Sequence, residues 1–167
     1  PWPLEKKNSM NLKPLTTTDF QKQVDISQET IGVNVMAYDS LTSLTTHLDV
    51  TQVAVENGTL RFEDPGLHYV AVINRYGLGT KAVHVVKDTG LLRGAFASTV
   101  SHDSHNLVVV YRDPREAVLA ANAVLDQHGG MAAVKDGQVV VRLPLPVAGL
   151  MADIPAHDMA HLAQTMK

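Results

Sequence analysis

The alternation of apolar and polar residues in the first half of the chain predicts β-strands joined by a tight turn. Residues 31–36 alternate with the period of two that is typical of a half-buried strand. Residues 51–56 and 59–62 flank an Asn-Gly pair at 57–58, which supplies the two positive-φ positions of a type I′ hairpin. Residues 41–48 are ambiguous, although their β-branched threonines favour a strand.

Apolar runs in the middle of the chain predict two further pairs of strands. Residues 68–75 and 80–87 are separated by a glycine-rich turn, and residues 94–100 and 107–111 are separated by a short polar segment. These runs have strand length and are far too short to span a bilayer. We therefore expect a sheet whose strands are connected mainly by turns.

The clearest helix signal follows Asp113, which we expect to be the N-cap. Pro114 suits the first turn, and Glu116 has the spacing of a capping box. Apolar residues then recur at helical spacing: Val118, Ala121, Val124 and Leu125. The glycine pair at 129–130 is expected to end the helix.

The remaining pattern predicts a second hairpin and a terminal helix. An Asp-Gly turn joins residues 131–134 to residues 138–143, and Pro144 ends the second of these strands because proline cannot pair in a central ladder. Residues 156–166 are expected to be helical. Hairpin-linked strands with few helices indicate an α+β fold with a mixed, hairpin-rich sheet rather than regular β-α-β winding.

Length and composition indicate one globular domain. The chain has 167 residues, of which 45% are hydrophobic and 19% charged. We expect residues 1–14 to be a proline-punctuated leader or linker and residues 15–167 to be the domain. The chain opens on proline rather than methionine, so we also expect it to be a piece of something longer.

Charge and residue usage narrow the possible partners. The formal net charge is −3 and no basic stripe is present, so neither a nucleic acid nor an anionic membrane is expected as a partner. Cysteine is absent, which excludes disulfides, thiolate catalysis and cysteine-based zinc sites. No signal peptide is recognisable, and a cytoplasmic location is the default expectation.

A polar cluster between two predicted strands carries the main candidate site residues: Ser101, His102, Asp103, Ser104, His105 and Asn106. Titratable residues between buried elements belong at a ligand, a metal or an interface more often than in plain packing. The alternative is a tight turn that caps its own backbone, since Ser, Asp and Asn are favoured turn residues.

Two histidines of this cluster are candidate metal ligands. His102 and His105 are three positions apart, so a tight turn can direct both imidazoles to one ion, and Asp103 can add an oxygen ligand or orient an imidazole. The set is short of a closed site and would need outside ligands or water. Arg75 lies at the end of an apolar run, where its guanidinium can clamp a carboxylate or pair with Asp103; the alternative is an exposed strand terminus.

Two other arrangements resemble catalytic motifs but are better explained by structure. His157 and His161 have the spacing of a metalloprotease helix, yet an aspartate replaces the glutamate base and the pair lies near the chain end, so we interpret it as a solvated helix face. Ser98 and Ser101 lie near histidines, but the Gly-x-Ser-x-Gly motif of a nucleophile elbow is absent.

Four segments resemble the C-terminal domain of bacterial adenine deaminase. The closest is GAFASTVSHDSHNLVVV at residues 94–110, followed by GGMAAVKDGQV at 129–139 and LPLPVAGLMAD at 143–153. NLKPLT at 11–16 is similar to the start of that domain in the family. The resemblance runs in order across almost the whole chain.

The resemblance implies a hydrolase of the amidohydrolase superfamily that converts adenine and water to hypoxanthine and ammonia. It places the catalytic metals, manganese or iron, in an N-terminal β/α barrel, and a barrel needs about 250 residues. This chain lacks that length and any His-x-His strand motif. The resemblance therefore implies an accessory domain that contains no complete reactive centre.

Two functions remain open at this point. In the first, the domain packs against the catalytic barrel with residues 101–106 and Arg75 facing a purine substrate or an extra metal. In the second, the domain is a non-catalytic binding or oligomerisation module of a divergent relative, and a homo-oligomer is the expected assembly.

Overall fold

The computed structural model describes residues 8–24, 29–39 and 45–164 of the chain. The elements within these ranges are, in order, β1 (Thr30–Tyr38), β2 (Thr46–Glu56), β3 (Thr59–Arg61), β4 (Leu67–Ile73), β5 (Lys81–Lys87), β6 (Ala95–Ser98), β7 (Leu107–Tyr111), α1 (Pro114–Asp126), β8 (Gly130–Lys135), β9 (Gln138–Pro144) and α2 (Ala156–Gln164). A short 3-10 turn, Thr17–Asp19, precedes them. The predicted α+β class is confirmed.

All of these strands lie in one sheet, in the order β3-β2-β1-β5-β4-β7-β6-β8-β9. Neighbouring strands are antiparallel except β1 and β5, which run parallel. The sheet is therefore mixed and hairpin-rich, as predicted. Strands β4 and β7 lie between β5 and β6, so the connection at 88–94 has to pass two strands.

The predicted hairpin turns and strands are present where the chain is described. Asn57 and Gly58 have φ values of 51° and 72°, and Asp136 and Gly137 have the same values, as a type I′ turn requires. The ambiguous segment 41–48 falls partly outside the described residues, at 41–44, and its last part belongs to β2.

Helix α1 begins as predicted but ends earlier. The carboxylate of Asp113 accepts a hydrogen bond from the Arg115 amide, which confirms the N-cap. Glu116 does not complete a capping box; its carboxylate accepts a hydrogen bond of 3.2 Å from the Gly137 amide and so ties the helix to the β8–β9 turn. The helix stops at Asp126, and the Gly129 amide closes its end on the Val124 carbonyl at 2.9 Å.

The two faces of the sheet differ in what covers them. Helix α1 packs its buried alanines and Val124 on β6, β7, β8 and β9, and we call this side the helix face. Strand β7 shows the difference: Leu107, Val109 and Tyr111 point to the helix face and are fully buried, whereas the side chains between them are only half-buried. We call the opposite side, on which Val70, Val108 and Val110 lie, the open face.

The segment before β1 closes the core on the helix face. Phe20 is fully buried there, and its ring meets Tyr111 edge-on with 5.4 Å between the ring centroids. The Tyr111 hydroxyl donates a hydrogen bond of 2.6 Å to the Phe20 carbonyl. Burial raises the pKa of Tyr111 well above its ordinary value, and it raises the pKa of Tyr69, stacked on it, to about 12.

Candidate functional site

The polar cluster forms the connection between β6 and β7 at one end of the strands. Ser98 and Val108 are the last paired residues of the two strands, so residues 99–106 make up the loop. The His105 amide donates to the Ser101 carbonyl and the Ser104 amide to the His102 carbonyl, both at 2.8 Å. The predicted tight turn is thus present, and the loop closes on its own backbone.

Two residues of this loop have an unusual backbone conformation. Asp103 and His105 have φ values of 65° and 47°, in the left-handed region that non-glycine residues rarely adopt. The hydroxyls of Ser101 and Ser104 lie 3.1 Å apart and brace the turn. Such strain persists only when the surroundings hold it in place, and it is common at functional sites.

The tip of the loop is an exposed histidine–aspartate pair. The Nδ1 of His102 lies 3.0 Å from the Oδ1 of Asp103, and these side chains are 95% and 90% exposed. Asn106, at the other end of the loop, has a buried Oδ1 with no hydrogen-bond partner. The loop therefore exposes charged or hydrogen-bonding groups to solvent at its tip, while hydrogen bonds hold its base in place.

Arg75 supports this loop from beneath. Its side chain is 1% exposed, so an exposed strand terminus is the wrong interpretation. The pairing expected with Asp103 is also absent; the Arg75 Nε donates instead to the His105 carbonyl. Burial lowers the pKa of the guanidinium from its ordinary value, but arginine stays protonated in proteins.

Neutral acceptors from distant segments satisfy the Arg75 cation. Nη2 donates to the Ala148 carbonyl at 2.9 Å and to the Tyr76 hydroxyl at 3.2 Å, and Nη1 donates to the Ser9 hydroxyl. Among the described residues, no carboxylate forms a salt bridge with it. One buried cation therefore joins the leader, the loop and the segment that follows β9.

Thr99 and Gly149, which the sequence analysis did not identify as site candidates, also support the loop. The hydroxyl of Thr99 donates to the Gly149 carbonyl at 2.6 Å and accepts from the Gly130 amide at 2.7 Å. Gly149 has a φ of +70°, and a Cβ there would lie 2.6 Å from the Arg75 Nη1, so only glycine fits. In the sequence, the glycines of the segments 129–139 and 143–153 were the features that could have indicated these close contacts.

The described part of the leader lies at the same end of the strands as this loop. The Asn11 amide donates to the Arg75 carbonyl at 2.8 Å, and Met10 is buried. Residues 1–7 lie outside the described part. The boundary at residue 14 stays a prediction, but the chain before β1 reaches the domain beside the polar loop.

The described residues do not form a metal centre by themselves. No group of three His, Asp or Glu side chains in ranges 8–24, 29–39 and 45–164 could hold an ion. His102 and His105 would therefore need ligands from elsewhere, as expected, and their metal role stays a prediction. His157 and His161 are exposed on α2, where His157 pairs with Asp158 at 3.0 Å, so the solvated helix face is confirmed.

The open face carries three cross-strand rows of side chains next to the loop. The strand registers give Leu48, Met36, Val86 and His68 in one row, His84, Val70, Val110, Phe96 and Ala133 in the next, and Val72, Val108 and Ser98 in the third. A cavity of about 630 Å³ lies on this face, with a floor that includes Val70 and Val108. Ser101, the first residue of the polar cluster, lines the same cavity.

Comparison with known proteins gives a consistent result. Residues 43–167 match the family described as adenine deaminase C-terminal domain. The chain is 38% identical over 161 residues to adenine deaminase of Moorella thermoacetica, covering 95% of the chain and 27% of that protein. It is 36% identical over 161 residues to adenine deaminase of Escherichia coli O7:K1, covering 96% and 26%.

A further relative matches a shorter part more closely. Adenine deaminase of Edwardsiella ictaluri is 46% identical over 107 residues, covering 64% of the chain and 18% of that protein. The chain thus spans about a quarter or less of the length of these relatives. None of the helices in the described ranges is long and apolar enough to cross a membrane.

Proposed function

The chain belongs to the adenine deaminase C-terminal domain family, and on that premise we propose that it is the accessory domain of a hydrolase that converts adenine and water to hypoxanthine and ammonia. The chemistry takes place in an N-terminal part like the one that makes up the rest of the relatives. That part is a β/α barrel with manganese or iron, which when bound supplies an activated hydroxide. The domain contributes the loop at 99–106.

The position and stiffness of the loop carry this proposal. Its His102–Asp103 tip is almost fully exposed in this domain, while its base is braced by Arg75 and Thr99. A stiff polar tip is suited to meeting the mouth of a neighbouring active site, because it loses little conformational entropy when it docks.

The side chains at the tip can recognise a purine or close the site over it. An imidazole with a carboxylate on its Nδ1 presents Nε2 with a fixed orientation, and the serine hydroxyls both donate and accept. Purine ring nitrogens and the exocyclic amine need partners of these kinds. By covering the mouth, the loop also excludes water other than the attacking one.

The described residues of the chain lack a group of three side chains that could hold a metal. In this proposal the metal is held by the N-terminal part. His102 and His105 can at most add to a site whose other ligands come from that part.

The test is a double variant in the polypeptide that carries this chain with its N-terminal part. His102→Ala with His105→Ala should lower kcat/KM for adenine at least about ten-fold or reduce the bound metal, because the tip loses both imidazoles. The matched control is His157→Ala with His161→Ala, which removes an exposed histidine–aspartate pair on α2 with the same nitrogen–oxygen distance of 3.0 Å. Unchanged kinetics together with unchanged metal content in the first variant would refute the proposal.

A second arm tests where the reaction occurs. The 167-residue chain alone, purified free of other deaminases, should release no ammonia from adenine. Turnover by the chain alone would overturn the assignment of chemistry to the N-terminal part.

A further inference from the structure

The open face is an apolar surface that no helix in the described part of the chain covers, although residues 89–91 of the β5–β6 connection lie beside Phe96 and Val110 on it. Helix α1 lies on the other side, and α2 buries none of its residues. On the open face Met36 and Leu48 are 41% and 72% exposed, and Val50 is exposed beside them. Contiguous apolar patches that adjoin polar loops mark interaction sites rather than free surface.

We propose that the open face is the surface against which the N-terminal part of the same polypeptide docks, seated so that the loop at 99–106 reaches that part's active site. The inference rests on the proposed function, and it adds which of the two sides of the sheet is the interface. The strands β2, β1, β5, β4, β7 and β6 form this surface, which is about 24 Å wide at a strand spacing of about 4.8 Å.

The first argument is continuity between the face and the loop. Ser101 belongs to the polar cluster and also lines the cavity whose floor is Val70 and Val108. A body seated on the open face therefore touches the base of the loop. The half-buried valines supply the apolar centre of such an interface, and the loop supplies part of its polar rim.

The second argument is where the preceding polypeptide joins the domain. Asn11 is hydrogen-bonded to Arg75, whose Nε binds the His105 carbonyl of the loop. The described chain thus begins, at residue 8, near the end of the strands that carries the loop. The relatives have about three quarters of their length outside the matched region, so a large body is available at that point.

Cysteine labelling tests the interface, since the chain itself has no cysteine. In the polypeptide that includes the N-terminal part, Met36→Cys should react with a maleimide at least ten-fold more slowly than Leu119→Cys. The two side chains are matched, at 41% and 39% exposed in this domain, but Leu119 lies on the outer side of α1. Labelled peptides are identified by mass, so cysteines elsewhere in the polypeptide do not interfere.

A photo-crosslinker attached at the same position identifies the occupant. A benzophenone maleimide on Met36→Cys should link to a peptide of the N-terminal part without doubling the mass. Equal labelling rates for the two variants would overturn the proposal, and so would a crosslink to a second copy of the chain. Leu48→Cys, at a more exposed site that tolerates substitution, repeats the test if Met36→Cys disturbs folding.

The outcomes separate this inference from the proposed function. Protection of Met36→Cys together with full activity of the His102 and His105 variant would keep the interface and remove the role of the loop. Free labelling of Met36→Cys together with loss of activity in the His102 and His105 variant would contradict the interface and support the role of the loop.

Discussion

The Thr99 hydroxyl donates a hydrogen bond of 2.6 Å to the Gly149 carbonyl, and thereby fixes the start of the polar loop to a segment 50 residues later in the chain. The same oxygen accepts from the Gly130 amide at 2.7 Å. All three groups are buried, so water cannot replace either bond without local opening.

Thr99→Val should therefore lower the free energy of unfolding by about 2 to 3 kcal/mol, because it keeps the shape of the side chain and leaves a buried amide and a buried carbonyl without a partner. Urea unfolding measures the change. Thr99→Ser is the matched control: it keeps the hydroxyl and should cost only about 1 kcal/mol for the lost methyl. Equal losses for the two variants would show that the two hydrogen bonds of the hydroxyl contribute no more to stability than one buried methyl.

Replacing Arg75 should loosen the loop as well as destabilise the domain. Arg75→Met removes the donors to the His105 and Ala148 carbonyls and should cost about 2 to 3 kcal/mol. Amide exchange at His105, whose N–H binds the Ser101 carbonyl, should become faster. Exchange at that amide as slow as in the parent chain would contradict the support role.

Two further variants serve as controls for Arg75. Arg115→Met removes an exposed arginine that only pairs with the N-cap carboxylate of Asp113, and it should leave exchange at the loop unchanged. Arg75→Lys keeps the charge but cannot reach acceptors on three segments, so it should resemble Arg75→Met more than the parent.

Tyr111→Phe should remove a buried hydrogen bond that helps to fix the segment before β1 to the sheet. The Phe20 carbonyl loses its 2.6 Å donor inside the core, and the expected cost is about 1 to 2 kcal/mol in the free energy of unfolding. Tyr38→Phe, on the more exposed end of β1, should change it by less than about 0.5 kcal/mol. A Tyr111→Phe variant as stable as Tyr38→Phe would show that this hydrogen bond adds nothing measurable to the other contacts of the segment.

His68 should make the stability of the domain depend on pH. Its side chain is 1% exposed and its Nε2 has no partner, and burial lowers the pKa below the ordinary value of 6.5, with a smaller contribution from Arg112. The unfolded chain therefore binds a proton more readily than the folded one. Stability should be fully present above pH 6.5 and decline as the pH falls below it.

Urea unfolding between pH 8 and pH 5 measures this dependence. A His68→Leu variant should lose the part of the slope that lies just below pH 6.5. Comparison at pH 8, where the histidine is neutral in both states, separates the packing change from the titration. An unchanged slope in the variant would assign the dependence to other groups.

The parts of the fold that depend on neighbouring residues could be predicted from the sequence. The Asn57-Gly58 turn and the Asp113 cap are decided by backbone preferences within a few positions, so the pattern was sufficient. The end of α1 was less well placed, since it depends on how Gly129 closes the last turn and Gly130 pairs in β8.

The support of the loop could not be predicted in the same way. Three partners of Arg75 are 30, 66 and 73 residues away, and no local preference encodes them. The open face was not predicted from the sequence either. A central strand is paired on both sides, and its sequence is a continuous apolar run whether or not another layer packs on that face of the sheet. The polar cluster itself was visible, since six polar residues interrupt two apolar runs.

The reach of Arg75 across the chain also has a consequence for biosynthesis. The carbonyl of Ala148 becomes available only after nearly all of the domain has left the ribosome, so β6 and β7 can pair earlier than the turn between them acquires its final shape. A nascent chain that stops short of residue 148 would lack the bond that joins Arg75, beneath the histidine–aspartate tip, to the segment after β9. The support of the tip is therefore complete only once the segment after β9 has been made.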